Sequence, residues 1–224
     1  KAHYPVEFMT AFLTAESRGA SGPSKNEKIA EGVAECKRLN IKVLPPDINK
    51  SESEFSIEGK NSIRFGLSAI KNIGEAAIKS ITSSRREGPF KDLGDFCKKV
   101  DLGSVNKKTI ESLIKSGAMD AFGKRAPLLI RYSEILESSH KKKKEEKEGQ
   151  ASLFEETQEP ENISAIDIED FTLKEKLSFE KEFLGLYLTS HPMMDELSSV
   201  KNKVTHEIRL IMEESEGSSV KIGG

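Results

Sequence analysis

The chain has 224 residues, with 35 Lys and Arg against 37 Asp and Glu and a formal net charge of −2. That balance excludes a polycationic nucleic-acid coat and leaves any nucleic-acid contact to local patches or oriented backbone groups. Cys36 and Cys97 are too few and too far apart for a disulfide framework or a zinc site, and suit a reducing compartment. A signal peptide is not expected, and no apolar run approaches the ~18 residues of a membrane span. The expectation is a cytoplasmic protein of one large or two small domains. Lys1 stands where an initiator methionine would be, and the chain is expected to be a piece of a longer protein.

The spacing predicts a helix over Tyr4 to Ala15, with Pro5 at its first position and Val6, Met9 and Leu13 as a stripe beside Phe8 and Phe12. After a Gly/Ser-rich break, Ser24 with Glu27 reads as a capping box. The helix it opens carries Ile29, Val33 and Cys36 inward and ends before Asn40. Ile41 to Leu44 is a short extended run stopped by Pro45 and Pro46. Phe55/Ile57 and Ile63/Phe65 alternate on either side of Glu58-Gly59-Lys60-Asn61, the pattern of a small β-hairpin.

The stretch from Ile63 to Ile81 reads as two short helices joined by a tight turn. Leu67 and Ile70 give the first an apolar face, and Ile78 and Ile81 the second. In the turn Lys71-Asn72-Ile73-Gly74-Glu75, Gly74 is the expected carrier of a positive φ, Asn72 tolerates the same conformation, and Ile73 is an apolar plug. Glu75 and Ala76 open the second helix, whose first amides have no internal partner and carry the positive end of the dipole. Such a start suits a phosphate. The pattern resembles the helix-hairpin-helix element, which grips a nucleic-acid backbone without reading bases, with Asn72 standing where that pattern has a first glycine. An ordinary αα-hairpin with a glycine turn remains the alternative.

Arg85 and Arg86 are expected to close that helix, and Gly88-Pro89 turns the chain. Asp92 caps a short helix with Leu93, Phe96 and Val100, and Asn106 caps the next, Lys107 to Ser116, with Ile110, Leu113 and Ile114 inward. A Gly-bearing turn from Gly117 to Gly123 leads to a helix starting near Lys124 or Arg125, with Leu129, Tyr132 and Leu136 on one face. This repeats the earlier element, so a tandem helix-hairpin-helix is the preferred reading. Lys107, Lys108, Lys124 and Arg125 at helix starts oppose the dipole, and an anion would relieve that conflict. Solvated surface lysines are the alternative.

From His140 the stripe disappears. Lys141 to Glu148 is a charge block and Glu155 to Asn162 an acidic, Pro-bearing stretch, both read as linker. Between them, Gln150-Ala151-Ser152-Leu153-Phe154 sets two large apolar residues where their own chain offers nothing to bury them against. Leu173 to Leu188 returns to a helical pattern with Leu177, Leu184 and Tyr187. Val204 to Met212 and Val220 to Ile222 look strand-like.

Six strings in order, HYPVEFMTAFLT from His3, VLPPDIN from Val43, IRFGLSAIKNIGEAAI from Ile63, GPFKDLGDFC from Gly88, VNKKTIESLIKSGAMDAFG from Val105 and KEFLGLYLTSHP from Lys181, resemble the bacterial DNA polymerase III alpha subunits, the family C replicative polymerases. The resemblance implies a mainly α fold: the end of the fingers domain at 1–62, a tandem helix-hairpin-helix at 63–140 with a small β-hairpin leading into it, a charged linker at 141–172, and a helix with the beginning of an OB-fold at 173–224. It implies backbone contacts to double-stranded DNA from Lys71, Asn72, Ile73, Gly74, Glu75, Ala76, Lys107, Lys108, Gly117, Lys124 and Arg125.

It also implies that Gln150, Ser152, Leu153 and Phe154 bind the sliding clamp, with Gln150 at the pocket rim and Leu153 and Phe154 in a cleft. Burial of each is worth roughly 1.5–3 kcal/mol, less the cost of ordering the segment, which suits a micromolar contact of about 8 kcal/mol or less. Other polymerase III subunits are implied partners. The parent protein's nucleotidyl transfer and its Mg2+ belong to palm-domain aspartates ahead of Lys1. No catalytic, cofactor or metal residue is expected here, since Asp101, Asp120, Asp167, Asp170 and the four histidines are scattered. Two hairpins neutralising about three phosphates would lose tens-fold in affinity between 50 and 200 mM salt. The rival readings are a DNA-repair protein segment and an interaction scaffold whose hairpins are only structural.

Overall fold

A computed structural model describes residues 3–19, 23–135 and 168–189. The pentapeptide Gln150 to Phe154 and the strand-like stretches beyond Val204 lie outside the described residues, as do His191 and Pro192. The architecture is mainly helical with one small sheet. Helix α1 spans Pro5–Arg18, with Pro5 in its first turn and Val6, Met9, Leu13 and Ser17 buried. Helix α2 spans Pro23–Arg38 and packs against α1. It begins one residue before Ser24, so Ser24 lies inside the helix and not at the cap assigned to it from the sequence. At its other end Asn40 takes φ 57°, and the amides of Asn40 and Ile41 bond the carbonyls of Lys37 and Cys36 at 3.1 and 2.8 Å. That crossed pair is a Schellman stop, with asparagine in the left-handed position.

Strand β1 (Lys42–Leu44) lies parallel to β3 (Ser62–Arg64), and β2 (Ser56–Ile57) pairs antiparallel on β3's other side with Ile57 opposite Ile63. The predicted hairpin is present, and the extended run before Pro45 joins it as a third strand. Arg64 inserts its guanidinium between Glu58 and the Pro45 carbonyl. Beyond the sheet, Gly66 passes so close to the backbone of Glu54 that a Cβ would lie 2.4 Å from its carbonyl carbon. The neighbouring amides of Leu67 and Ser68 bond the carbonyls of Glu52 and Ser53.

Five further helices follow: α3 (Glu75–Ser84), α4 (Leu93–Lys99), α5 (Lys107–Lys115), α6 (125–135 among the described residues) and α7 (Leu173–Phe183). Arg85 does not close α3 on its own carbonyls. It reaches across to the carbonyls of Ile48 and Ser51 and the carboxylate of Glu52. Helix α7 is shorter than the sequence suggested, because Gly185 turns the chain at φ 81° in contact with Asn26 of α2. One hydrophobic cluster runs from Val6 to Leu186 and takes side chains from α1, α2, β3, α3, α4, α5, α6 and α7. Burial of this shared cluster holds both hairpins against the first sixty residues. Ile48 is tied to the second hairpin by its amide, which bonds the Ala118 carbonyl at 2.7 Å. None of the described helices is long and apolar enough to cross a membrane.

Candidate nucleic-acid interface

The first hairpin is tighter than two helices and a turn. Its leading helix is a single 3-10 turn, Leu67–Ala69, after which Ile70 is already extended. Leu67, Ile70, Ile73, Ala77, Ile78 and Ile81 all enter the core, which makes this hairpin a plug in the hydrophobic cluster. The positive φ falls at Asn72, at 65°, and not at Gly74, which is extended at φ −87° and ψ 162° and serves as the N-cap of α3. Asparagine is the non-glycine residue best suited to that region, and two bonds hold it there. Its side-chain amide donates to Ser112 Oγ at 3.1 Å, and its carbonyl accepts from Thr109 Oγ1 at 3.3 Å. The first turn of α5, carrying Lys107 and Lys108, thereby lies beside the hairpin turn.

A helix start leaves its first amides without intrahelical partners. In α4, Asp92 accepts from the Asp95 amide; in α5, Asn106 accepts from Thr109; in α7, Thr172 and Glu175 form a capping box. In α6, the carboxylate of Asp170 accepts from the Ala126 amide at 3.0 Å. Helix α3 has no side-chain cap. Gly74, Glu75 and Ala76 are exposed, and a Cβ on Gly74 would meet nothing within 4 Å. The start of α3 therefore offers oriented amides to solvent at the positive end of the helix dipole. Lys71 stands beside it, half exposed and 3.6 Å from Glu182, and Lys107 and Lys108 are exposed on α5. The Glu75 carboxylate satisfies part of the dipole and would repel a phosphate, so an anion here is met by backbone and not by that side chain.

The second hairpin differs. Gly117 is buried with φ 86°, and a Cβ on it would collide with the guanidinium of Arg125 at 2.3 Å. Arg125 is 6% exposed. It donates twice to Asp120, at 2.8 Å each, and once to the Lys115 carbonyl at 2.9 Å. The sequence reading placed Gly117 and Arg125 against DNA. The structure instead turns the arginine inward to tie the end of α5 to the start of α6, with glycine required to make room for it. Lys124 remains exposed at the N-cap of α6, where its carbonyl accepts from Leu128. The next positions leave little for an anion, since Pro127 has no amide hydrogen and the Ala126 amide already holds Asp170.

Asp170 escaped the sequence reading, which left it in the linker. Burial acts to raise its pKa, but bonds from Lys176 and from the amides of Ala126 and Phe171 outweigh that and hold the carboxyl below its usual range. A signal was available in part. Lys124 is a poor N-cap and nothing local could satisfy the start of α6, so the acceptor had to come from elsewhere. The T-x-x-E box that fixes Asp170 just ahead of α7 is also legible as a helix start.

Residues 40–128 match the family described as the helix-hairpin-helix motif. The DNA polymerase III subunit alpha of Thermus aquaticus is 43% identical over 195 residues, covering 87% of this chain and 15% of the relative. That of Campylobacter jejuni is 41% identical over 203 residues, covering 86% and 16%, and that of Haemophilus influenzae 36% over 229 residues, covering 100% and 19%. The chain thus spans under a fifth of the length of these curated relatives. It is similar to one segment of the bacterial DNA polymerase III alpha subunits, and its residues 40–128 carry the helix-hairpin-helix match.

Proposed function

We propose that this chain is the duplex-holding segment of a DNA polymerase III alpha subunit, gripping double-stranded DNA by its phosphates without reading sequence. The observation that carries this reading is the start of α3, exposed and without a side-chain cap; α4, α5, α6 and α7 each have one, and α1, also uncapped, loses a donor to Pro5. Its amides, with Lys71, Lys107 and Lys108 at the rim, fit an anion that is recognised by charge and direction alone. Lys124 adds a long-range attraction. About two phosphates neutralised in this way give a loss of affinity of about tenfold between 50 and 200 mM salt. The grip is weak alone and is useful beside a polymerase core.

Nucleotidyl transfer and its Mg2+ lie in other parts of such a polymerase in this reading. Among the described residues no three His, Cys, Asp or Glu gather as a metal site. We place the second attachment at Gln150, Ser152, Leu153 and Phe154, as a contact with the sliding clamp, and the site of action in the cytoplasm with the other replicative subunits.

The test of the grip is Gly74→Asp. The site is open, the backbone is extended, and aspartate is a favoured N-cap, so the fold is retained while a carboxylate fills the amides. Duplex affinity at 50 mM salt should fall about tenfold and the salt slope should flatten by one to two. Unchanged affinity would instead favour the scaffold reading, in which the hairpin only packs against α5 and α7. For the clamp contact, Leu153→Ala with Phe154→Ala should abolish retention on immobilised clamp; equal retention removes that assignment.

A further inference from the structure

The stretch 168–189, which holds helix α7, follows the 136–167 segment and sets one acid on each hairpin. Glu182 pairs with Lys71 at the first, where the Lys71 amide also bonds the Phe183 carbonyl at 2.9 Å. Asp170 sits on the start of α6 at the second, bonded to the Ala126 amide at 3.0 Å and ion-paired with Lys176. The two contacts differ in strength. The Lys71–Glu182 pair is more than half exposed on both sides, so salt screens it and it holds little. Asp170 is mostly enclosed, its side chain 15% exposed. It is anchored from behind, since the Thr172–Glu175 box and the edge-on contact of Phe171 with Phe179, 4.9 Å between centroids, fix the chain immediately after it. Helix α7, which follows it directly, is held on α5 by Phe179 and Phe183, with the Lys115 ammonium 5.7 and 5.9 Å from their rings.

We propose that Asp170 is a built-in occupant of the second hairpin: its carboxylate takes the position a nucleic-acid phosphate would take at the start of α6, so the chain grips DNA with the first hairpin alone while Asp170 is in place. The inference rests on the phosphate-holding reading above and deepens it, because it says which half of the tandem is in use and what keeps the other half out. Chemically the match is direct. A carboxylate and a phosphate diester are both monoanions that accept from the same amide, and the α6 start cannot serve both. With Pro127 contributing no donor, the Ala126 amide is the one inner donor in dispute, and Lys124 at the N-cap is exposed beside it, with no ion pair among the described residues. Freed of Asp170, that pair can take about one phosphate.

The experiment uses the 224-residue chain and a fluorescent duplex oligonucleotide of random sequence, with affinity measured by anisotropy from 50 to 200 mM salt. Wild type, Asp170→Ala, Asp170→Asn, Gly74→Asp and the double variant Gly74→Asp/Asp170→Ala are compared. Asp170→Ala should bind duplex several-fold more tightly at 50 mM salt, with a salt slope steeper by about one, and the gain should persist in the Gly74→Asp background. Asp170→Asn keeps an acceptor for the Ala126 amide and the surrounding packing while removing the charge. It should gain in the same direction by less, and it carries the test if the alanine variant does not fold. An affinity unchanged or lowered in whichever of the two variants is folded makes Asp170 a purely structural cap and overturns the proposal. Failure of Gly74→Asp to weaken binding would instead strike the phosphate-holding reading itself, so the two failures are told apart by which variant stays silent.

Discussion

The side-chain amide of Asn72 donates to Ser112 Oγ at 3.1 Å, which pins the left-handed residue of the first hairpin to the middle of α5. The turn that presents the α3 amides is thus held by a contact forty residues away along the chain. Replacing Asn72 by alanine loses that bond, about 1 kcal/mol, and forces a Cβ-bearing residue without a polar side chain into the left-handed region, roughly 1–2 kcal/mol more. Glycine at the same position loses the bond and relieves the backbone. Urea unfolding should therefore rank wild type first, Asn72→Gly next at about 1 kcal/mol less, and Asn72→Ala last at about 2–3 kcal/mol less. Equal midpoints for the glycine and alanine variants would mean the φ of 65° has no energetic consequence.

Gly66 is a second position with no latitude, for a different reason. Its backbone is extended, but a Cβ would press on the carbonyl carbon of Glu54 at 2.4 Å and on the amide of Phe55 at 2.7 Å. Backbone cannot move aside as the end of a side chain can, so Gly66→Ala separates the chain from its neighbour and strains the bonds from Leu67 and Ser68. We expect a loss of about 2–3 kcal/mol. Gly74→Ala, at an open site, should stay within about 1 kcal/mol of wild type. Similar losses for the two would remove the close-approach argument.

Arg125 separates stability from DNA binding. The guanidinium is buried, while its partner Asp120 keeps half its surface in water. Arg125→Met therefore leaves the Lys115 carbonyl without its donor while water takes over the Asp120 carboxylate, and should cost about 1–3 kcal/mol. Arg125→Lys should recover little, because a single ammonium cannot span Asp120 and the Lys115 carbonyl together. Neither variant, measured at a temperature where it is folded, should change the salt slope of duplex binding. A slope flattened by one would return Arg125 to the DNA surface.

Acid should destabilise the fold through a defined set of carboxylates. The Arg64 bond lowers the pKa of Glu58, the Lys91 amide and then Lys99 that of Asp95, the Ser104 hydroxyl and Gly103 amide that of Asp101, and the Thr172 hydroxyl and amide that of Glu175. Asp170 is lowered as described above. A folded pKa below the unfolded value gives stability that is complete above the unfolded value, about 3.9 for Asp and 4.3 for Glu, and is lost as pH falls through the folded one. Thermal midpoints should accordingly be level from pH 7 to about 5 and drop between about 5 and 3. A midpoint level down to pH 3 would contradict the depressed values.

What the residue order settled by itself was local. Pro5, Asp92 and Asn106 marked helix starts, and the Ile63–Ile81 pattern marked a hairpin, because a cap and the amide it serves are three positions apart and a stripe repeats within one or two turns. The tertiary structure decided everything that joins distant positions. It shrank the leading helix of the hairpin to a single turn, since Ile70 is drawn into the shared core. It assigned the positive φ to Asn72, whose partners lie on α5, and left Gly74 as a cap. It turned Arg125 inward, where Gly117 makes room, and brought Asp170 onto Ala126 from forty-four residues away. A helix start with no acceptor nearby shows in the sequence only as a vacancy. Which atom fills it depends on how the chain packs, because the hydrophobic cluster that sets α7 on α5 also fixes where its carboxylates fall.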